Sequence, residues 1–249
     1  MASSVSIVIP YFNRKKFEKL IEYNINCQTY ANIKEVIIAD DSTEPNQRLE
    51  LNIPYPIVYC VIPRCSIGYK RNYLKKIAQG EIIAHMDSDD IYFPEYIQSC
   101  VDTMILNDCE ITGSSDMLFI NPITKQSFRQ SCLYNQMVNE ATCVYRKSYA
   151  ETRHYQDRNH SENESFTRDH WLITQTPIDD IMVCITHDNN TISKRIWETD
   201  QFKAPLPKKF WRTQHFRILS KIFEKEIKDI KKIEQSKIDT ENVVKQENV

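Results

Sequence analysis

Four short runs of consecutive apolar residues, spaced by stretches of helical periodicity or polar loops, restrict this chain more than any other feature. They are VSIVI at 5–9, ended by Pro10, then EVIIA at 35–39, PIVYCVI at 56–62 and EIIAHM at 81–86. None alternates apolar with polar, so each reads as a strand buried on both faces. Between them, residues 14–29 place Phe17, Leu20, Ile21, Ile25 and Cys27 near helical spacing, with Asn13 as an N-cap. Residues 67–78 read as a second helix with Gly80 just past its end, and 94–106 as a third with Pro94 in its first turn. Strands alternating with helices predict an α/β fold, a mostly parallel sheet covered by helices.

Ligands of such sheets bind at the carboxyl ends of the strands. Three of these ends are polar: Tyr11-Phe12-Asn13-Arg14, Asp40-Asp41-Ser42 and Asp87-Ser88-Asp89-Asp90. The last set carries three carboxylates within four residues, directly after a buried strand. Carboxylates near a core are costly unless paired or bound to a cation. Oxygen ligands in this density suit Mg²⁺ or Mn²⁺, which often bridge protein carboxylates to substrate phosphates. A polar loop that caps the following helix is the alternative.

Composition narrows the function classes. A net charge of −2 argues against a nucleic-acid or anionic-membrane partner held by bulk charge. The eight cysteines contain no Cys-x-x-Cys pair, which points to reduced thiols and away from a disulfide framework or a metal knuckle. Three glycines, Gly68, Gly80 and Gly113, cannot build a P-loop and leave little room for a dinucleotide fingerprint. No apolar stretch reaches membrane-spanning length, and MASSVSIVIP reads as a core strand rather than a signal peptide, so a cytoplasmic setting is expected.

The pattern loosens after residue 107. Residues 110–120, 141–145 and 181–185 read as strands, 151–165 as a polar loop and 164–173 as a helix. His187-Asp188-Asn189-Asn190 follows the last strand, and Ala204-Pro205-Leu206-Pro207 breaks the chain. From Lys208 onward, Phe216, Ile218, Leu219, Ile222, Phe223, Ile227, Ile230 and Ile233 mark an amphipathic helix of about seven turns, ending in a frayed polar tail. Such a helix packs on the domain, pairs with a second copy in a homo-oligomer, or lies on a membrane surface, the last being weakest for its mixed charge. The expected division is a first half at 1–107, a second half at 108–204, and a helical extension at 205–249.

At this point the chain resembles a family 2 glycosyltransferase of the GT-A fold. The resemblance rests on an ordered set: SIVIPYFNR at 6–14, EVIIADDS at 35–42, SIGYKRNYLKKIAQGEIIAHMDSDDIYFPEYI at 66–97, ATCVYRK at 141–147, ENESFTRDHW at 162–171 and HDNNTIS at 187–193. It covers roughly residues 5–195 and implies a Rossmann-like sheet with a nucleotide-binding half at 1–107 and an acceptor half at 108–204; the C-terminal helical extension after 204 has no counterpart in it. It also implies a metal-dependent, inverting transfer from a nucleotide-sugar, above all a UDP-sugar, to a hydroxyl of a glycan or other acceptor. By resemblance, Pro10, Tyr11, Asp40 and Asp41 line a uridine pocket, with Asn13 and Ser88 beside them and Arg71 as a basic contact; Tyr11 also reads as a core tyrosine at a strand end. Lys70-Arg71 also reads as a solvated helix pair.

Asp87 and Asp89 match the family's D-x-D. Asp87 would contact the ribose, directly or through the metal; Asp89 would ligate Mn²⁺ or Mg²⁺, with His187 as a further ligand. Asp90 would orient these or face the acceptor. The family places its general base in an acidic pair before a helix, but here Asn163 occupies the usual base position. Glu164, or else Glu162, would replace it after a one-residue shift, with Asp169 in reserve. Trp171, Asp169 and Gly113 would border the acceptor. Two other readings stay open: a non-catalytic nucleotide- or glycan-binding module, kept alive by Asn163, and a nucleotidylyltransferase, for which PYFNRKK lacks the usual glycines.

Overall fold

β1 (Val5–Tyr11) lies at the centre of the main sheet, buried along its whole length except at Pro10. It pairs in parallel with β2 (Ile33–Asp40) on one side and β4 (Ile82–His85) on the other. β3 (Ile57–Val61) adds an exposed parallel edge beyond β2. The structure, a computed structural model, describes residues 2–131, 137–167, 173–191, 193–233 and 235, without the Arg212 side chain. Pro10 sits inside β1 instead of ending it. Ser4 and Val8 turn their carbonyls to β4, so Pro10, of the same parity, points its missing N–H to that side, beyond the last β4 bond from Met86 N–H.

Both faces of the sheet are covered, as the unbroken apolar runs require. Ile7 and Ile9 pack with Phe17, Leu20, Ile21 and Ile25 around α1 (Glu18–Asn26). Val8, Ile37 and Ala39 pack on the other face with Leu74 of α2 (Ile67–Ile77) and Ala78. After β4 come β5 (Ile91–Tyr92) and α3 (Tyr96–Leu106), whose Tyr96, Ile97 and Cys100 join the α1 side.

The second half completes this sheet and adds a smaller one. β6 (Ile111–Gly113), β9 (Val144–Arg146) and β10 (Ile173–Gln175) extend the main sheet in the order β3-β2-β1-β4-β9-β6-β10, with β9 antiparallel to both neighbours. β7 (Met117–Ile120), β8 (Ser127–Gln130) and β11 (Met182–Ile185) form a second sheet, β5-β11-β7-β8. Short helices α4 (Lys147–Glu151) and α5 (Ile178–Ile181) link these strands. The architecture is the expected mostly parallel sheet flanked by helices.

Several local expectations are corrected. The strand read over 110–120 is two strands in different sheets. Between them Ser114 N–H donates to Thr142 Oγ1 at 2.9 Å and Ser115 N–H to Gln175 Oε1 at 2.7 Å, so side chains satisfy the backbone where the chain changes sheet. The first helix starts as a 3₁₀ turn at Lys15–Phe17, and Asn13 does not cap it. Asn13 takes φ 48° and its Oδ1 accepts from Thr43 and Glu44 N–H at 3.2 and 3.3 Å, stapling the β1 and β2 loops together. Residues 161–167 form turns, not the start of a helix, and 168–172 lie outside the described residues.

The C-terminal helix is also broken. α6 (His215–Ile222) ends at Phe223, and 224–233 continue as a second helical piece. The frayed tail expected beyond lies outside the described residues. Of the uses considered for this segment, packing on the domain is realised over 206–223: Leu206, Phe210, Leu219 and Phe223 join the α1 core, and Phe223 meets the Phe17 ring at 6.1 Å. His215 Nε2 lies 3.0 Å from Asn24 Oδ1 of α1. The seven described cysteines are free. Among the described residues no helix is long and apolar enough to cross a membrane.

Removal of the fully packed Phe223 ring by Phe223→Ala should cost about 3–5 kcal/mol, read from the urea midpoint. His215, fully buried, has its pKa lowered from 6.5 to about 3 by burial. The unfolded chain therefore takes the proton first, and stability contributed by His215 falls as pH drops from 6.5 toward 3. His215→Gln should flatten that part of the acid limb in urea melts at stepped pH.

Candidate active site

The last ladder bond from β4 to β1 is Met86 N–H to Val8 O, after which the chain leaves the sheet. Asp87 N–H then donates to Tyr92 Oη at 2.7 Å, and Tyr92 Oη donates to Ala141 O at 2.9 Å. The turn holding Asp87, Ser88, Asp89 and Asp90 is thus clamped between β4 and β5. It stands beside the loops that follow β1 and β2, as parallel topology requires.

Arg71, 2% exposed on α2, ties this turn to the loop that carries Glu162. Its Nη2 donates to Asp87 Oδ1 at 3.1 Å and its Nε to Glu162 Oε1 at 2.9 Å. Burial opposes its charge, yet Asp87 and Glu162 raise its pKa well above the ordinary arginine value. Nη1 meets His85 Nδ1. Arginine only donates, so Nδ1 accepts and the ring proton sits on Nε2, 3.0 Å from Tyr145 Oη. Burial, and then Arg71, hold His85 well below its ordinary pKa. Glu162 reaches Arg71 because its loop crosses the first turn of α2 at Gly68, where a Cβ would lie 1.7 Å from Gln156 O.

Asp89 faces the loop after β11. Its Oδ2 accepts from Arg14 Nε and lies against His187 Nε2, each at 3.0 Å. Burial would raise its pKa, but the His187 hydrogen bond and the nearby Lys194 and Arg14 charges hold it below the usual carboxylate range. Asn190 shapes the His187 turn: its Oδ1 accepts from His187 N–H at 2.8 Å and its Nδ2 donates to Ile185 O at 3.2 Å. Asp90, 1% exposed, accepts from Ile185 N–H at 3.0 Å and from Lys194 Nζ at 3.2 Å. Burial, only partly offset by Lys194, raises its pKa.

Pro10, Phe12, Arg64, Lys70, Arg71 and Ser88 line a recess of about 120 Å³ that also reaches Arg14, Asp87 and Asp89. Tyr11 is absent from its wall. Residues of β1 alternate between faces, so Tyr11 turns into the α1 core, fully buried, with its Oη donating to Gln47 O at 2.8 Å. Phe12, of the same parity as Pro10, takes its place, with the Arg64 guanidinium 3.9 Å from its ring centroid. Asp40 turns to Tyr59 Oη at 2.6 Å and lines no described recess. Asp41 is buried and holds Lys70 Nζ at 2.6 Å and Arg64 Nη1 at 2.5 Å. Burial pushes its pKa up, but Lys70, Cys65 N–H and Arg64 bring it below the ordinary value.

A second cavity, of about 250 Å³, joins Asp87, Asp89 and Asp90 to Glu140, Glu162, Lys194 and Trp197. A third adjoins it, sharing Gln130, Asn139, Glu140 and Ser161, and is walled further by Asn163, Gln156 and Glu164. Glu164 stands apart from Arg71 and the Asp87–Asp90 turn: its side chain is 68% exposed and paired with Arg158. Asn163 Nδ2 donates to Val138 O at 2.6 Å. Gly113 lines none of these cavities; a Cβ there would lie 2.8 Å from Thr142 Oγ1. Asp169 and Trp171 lie outside the described residues. Trp197, which sequence reading passed over, sets an indole in the cavity wall.

Asp87 does not join Asp89 and His187, because Arg71 takes it. Among the described residues no three carboxylate, histidine or cysteine side chains converge as a cation cage. The Asp89–His187 pair supplies one oxygen and one nitrogen donor beside the cationic recess. Such a pair fits Mg²⁺ or Mn²⁺, which leave several positions to water and substrate phosphates.

Residues 6–227 match the family described as glycosyl transferase family 2. The Escherichia coli protein named UDP-Glc:alpha-D-GlcNAc-diphosphoundecaprenol beta-1,3-glucosyltransferase WfgD is 27% identical over 139 residues, 54% of each chain. An uncharacterized glycosyltransferase of Rickettsia conorii is 34% identical over 103 residues, 40% of this chain and 17% of its own. Among solved structures, Staphylococcus aureus TarS 1–349 in complex with UDP-GlcNAc superposes with TM-score 0.57 at 16% identity, covering 76% of this chain and 60% of that one. The chain thus spans less than two thirds of the length of each of these relatives.

Arg71→Met should leave Asp87 and Glu162 uncompensated and cost about 3–5 kcal/mol in urea unfolding. Arg64→Met, at a half-exposed site, should cost under about 1 kcal/mol.

Proposed function

The chain belongs to glycosyl transferase family 2, and on that footing we propose that it moves a sugar from a UDP-sugar to a hydroxyl of a carbohydrate acceptor, with inversion and with a divalent cation. The observation that carries this reading is the recess at the carboxyl ends of β1 and β4. Arg14, Arg64, Lys70 and Arg71 meet there beside the Phe12 ring and the Asp87–Asp90 turn. Each of these cations already holds a carboxylate. An entering diphosphate therefore meets cations already held in place by carboxylates, and no isolated buried cation has to wait for it. Phe12 offers the base a ring in place of Tyr11, and Asp87 lies in position to accept from ribose hydroxyls. TarS, solved with UDP-GlcNAc, and WfgD, named for UDP-Glc, support uridine as the base.

Asp89 and His187 would hold Mn²⁺ or Mg²⁺. When bound, the cation neutralises charge on the diphosphate leaving group. Arg71 keeps Asp87 and Glu162 oriented on either side of the passage from the recess to the second cavity. Lys194 holds Asp90, and the two brace the cavity wall under Trp197. The acceptor enters from the cavity walled by Gln130, Gln156 and Ser161, whose amides and hydroxyl suit the hydroxyls of a sugar.

A thermal-shift panel of UDP, GDP, CDP and ADP, each with and without Mn²⁺, tests this reading. UDP with Mn²⁺ should raise the melting temperature above the other nucleotides, equivalent to about 2.7 kcal/mol at a hundredfold excess over Kd. Phe12→Ala should weaken UDP by about 1–3 kcal/mol, the usual range for a base stacked on an aromatic ring. Asp89→Ala should remove the Mn²⁺-dependent part. Equal shifts for all four nucleotides, or none, would reject the donor; a Mn²⁺ response that survives Asp89→Ala would reject the metal site.

A further inference from the structure

We propose that Glu140 is the general base that activates the acceptor hydroxyl, in place of the acids of the 162–164 segment. The inference rests on the reading of the site as a sugar-transfer centre and deepens it. Inverting transfer needs a carboxylate that is free to take a proton and stands where donor and acceptor meet. The three side chains of the 162–164 segment fail on geometry. Glu162 is 4% exposed and its carboxylate is held by Arg71 Nε. Asn163 has no basic group, and its amide is spent on Val138 O. Glu164 lines only the cavity that does not reach Asp87 and Asp89, and its exposed carboxylate pairs with Arg158.

Glu140 has what these lack. It sits in the 3₁₀ turn Glu140–Thr142, directly before the strand that lies between β4 and β6. It lines both the cavity that reaches Asp87 and Asp89 and the adjoining amide-lined one, so it stands at their junction. Its carboxyl makes no ion pair and takes no hydrogen bond from another described residue, whereas Asp87, Asp89, Asp90 and Glu162 are all engaged by cations. The charged groups facing it are Glu162, Arg71 and Asp87. Burial, and then the negative charge of Glu162, push its pKa up to about 7 against the opposing pull of Arg71. That is the range in which a carboxylate both exists near neutral pH and takes a proton readily.

In the step so assigned, the acceptor oxygen forms a bond to the anomeric carbon as the bond from that carbon to the β-phosphate oxygen breaks. The electron pair of the broken bond leaves on UDP, and the hydroxyl proton passes to a Glu140 carboxyl oxygen. Water can stand in for the acceptor, so donor hydrolysis reads the same proton transfer.

The test measures UDP release from UDP-glucose and from UDP-N-acetylglucosamine with Mn²⁺, between pH 5.5 and 8.5. Glu140→Gln should lower turnover by about 10²–10⁴-fold, the usual contribution of a general base, and abolish the acid limb of the pH profile. Glu140→Asp should restore part of the rate. The UDP-induced thermal shift should persist in both variants, which separates loss of the base from loss of the donor site. A loss that appears in Glu164→Gln and not in Glu140→Gln overturns the proposal. A ¹³C NMR titration of glutamate carboxyls gives a second readout that needs no turnover. A signal titrating near 7 and missing from Glu140→Gln supports the assignment, and a Glu140 signal titrating near 4.5 overturns it. Absence of any UDP-induced shift in the native protein would instead count against the donor reading.

Discussion

The buried guanidinium of Arg71 is the interaction on which the site depends. It is taken out of water on the inner side of α2 and compensated by Asp87 on one side and Glu162 on the other. Asp87 belongs to the turn after β4, Glu162 to a loop more than seventy residues later in the chain. One cation therefore fixes the distance between the turn after β4 and the loop that carries Glu162. The neutral His85 beneath it, hydrogen-bonded to Tyr145, sets the guanidinium plane. Gly68 lets the second loop approach closely enough to deliver its carboxylate.

The same logic of compensated charge runs through the rest of the cleft. Arg14 holds Asp89, Lys70 and Arg64 share Asp41, and Lys194 holds Asp90. Unpaired, each would be a buried or half-buried ion whose desolvation nothing offsets. Paired, they keep the loops in place and still present their positive faces to the recess. Glu140 is the exception among these acids: among the described residues no cation forms an ion pair with it.

Much of the candidate site was legible in the sequence because it is local. Asp87, Ser88 and Asp89 had to emerge together from a buried strand, and His187 had to follow another. The structure places Asp89 against His187, ninety-eight positions apart. Where sequence reading failed, the deciding contacts were non-local or depended on parity along a strand. Tyr11 looked like the aromatic of the pocket, but alternation along β1 assigns it to the core and Phe12 to the recess. Glu164 looked nearest to a base, but the path of its loop over Gly68 turns Glu162 inward and Glu164 to solvent. The long C-terminal amphipathic pattern was visible, but not its break at Phe223, where the chain bends to seat an aromatic ring against Phe17.

The sequence by itself determined the α/β class, the strand ends that carry chemistry and the acidic turn. These follow from apolar runs and polar punctuation, which act over a few residues through burial and backbone geometry. Only the tertiary structure decided which charges pair, which aromatic faces the recess, and that Glu140 lines two adjoining cavities. Ion pairing and desolvation depend on distances between segments far apart in the chain, and those distances exist only once both faces of the sheet are packed.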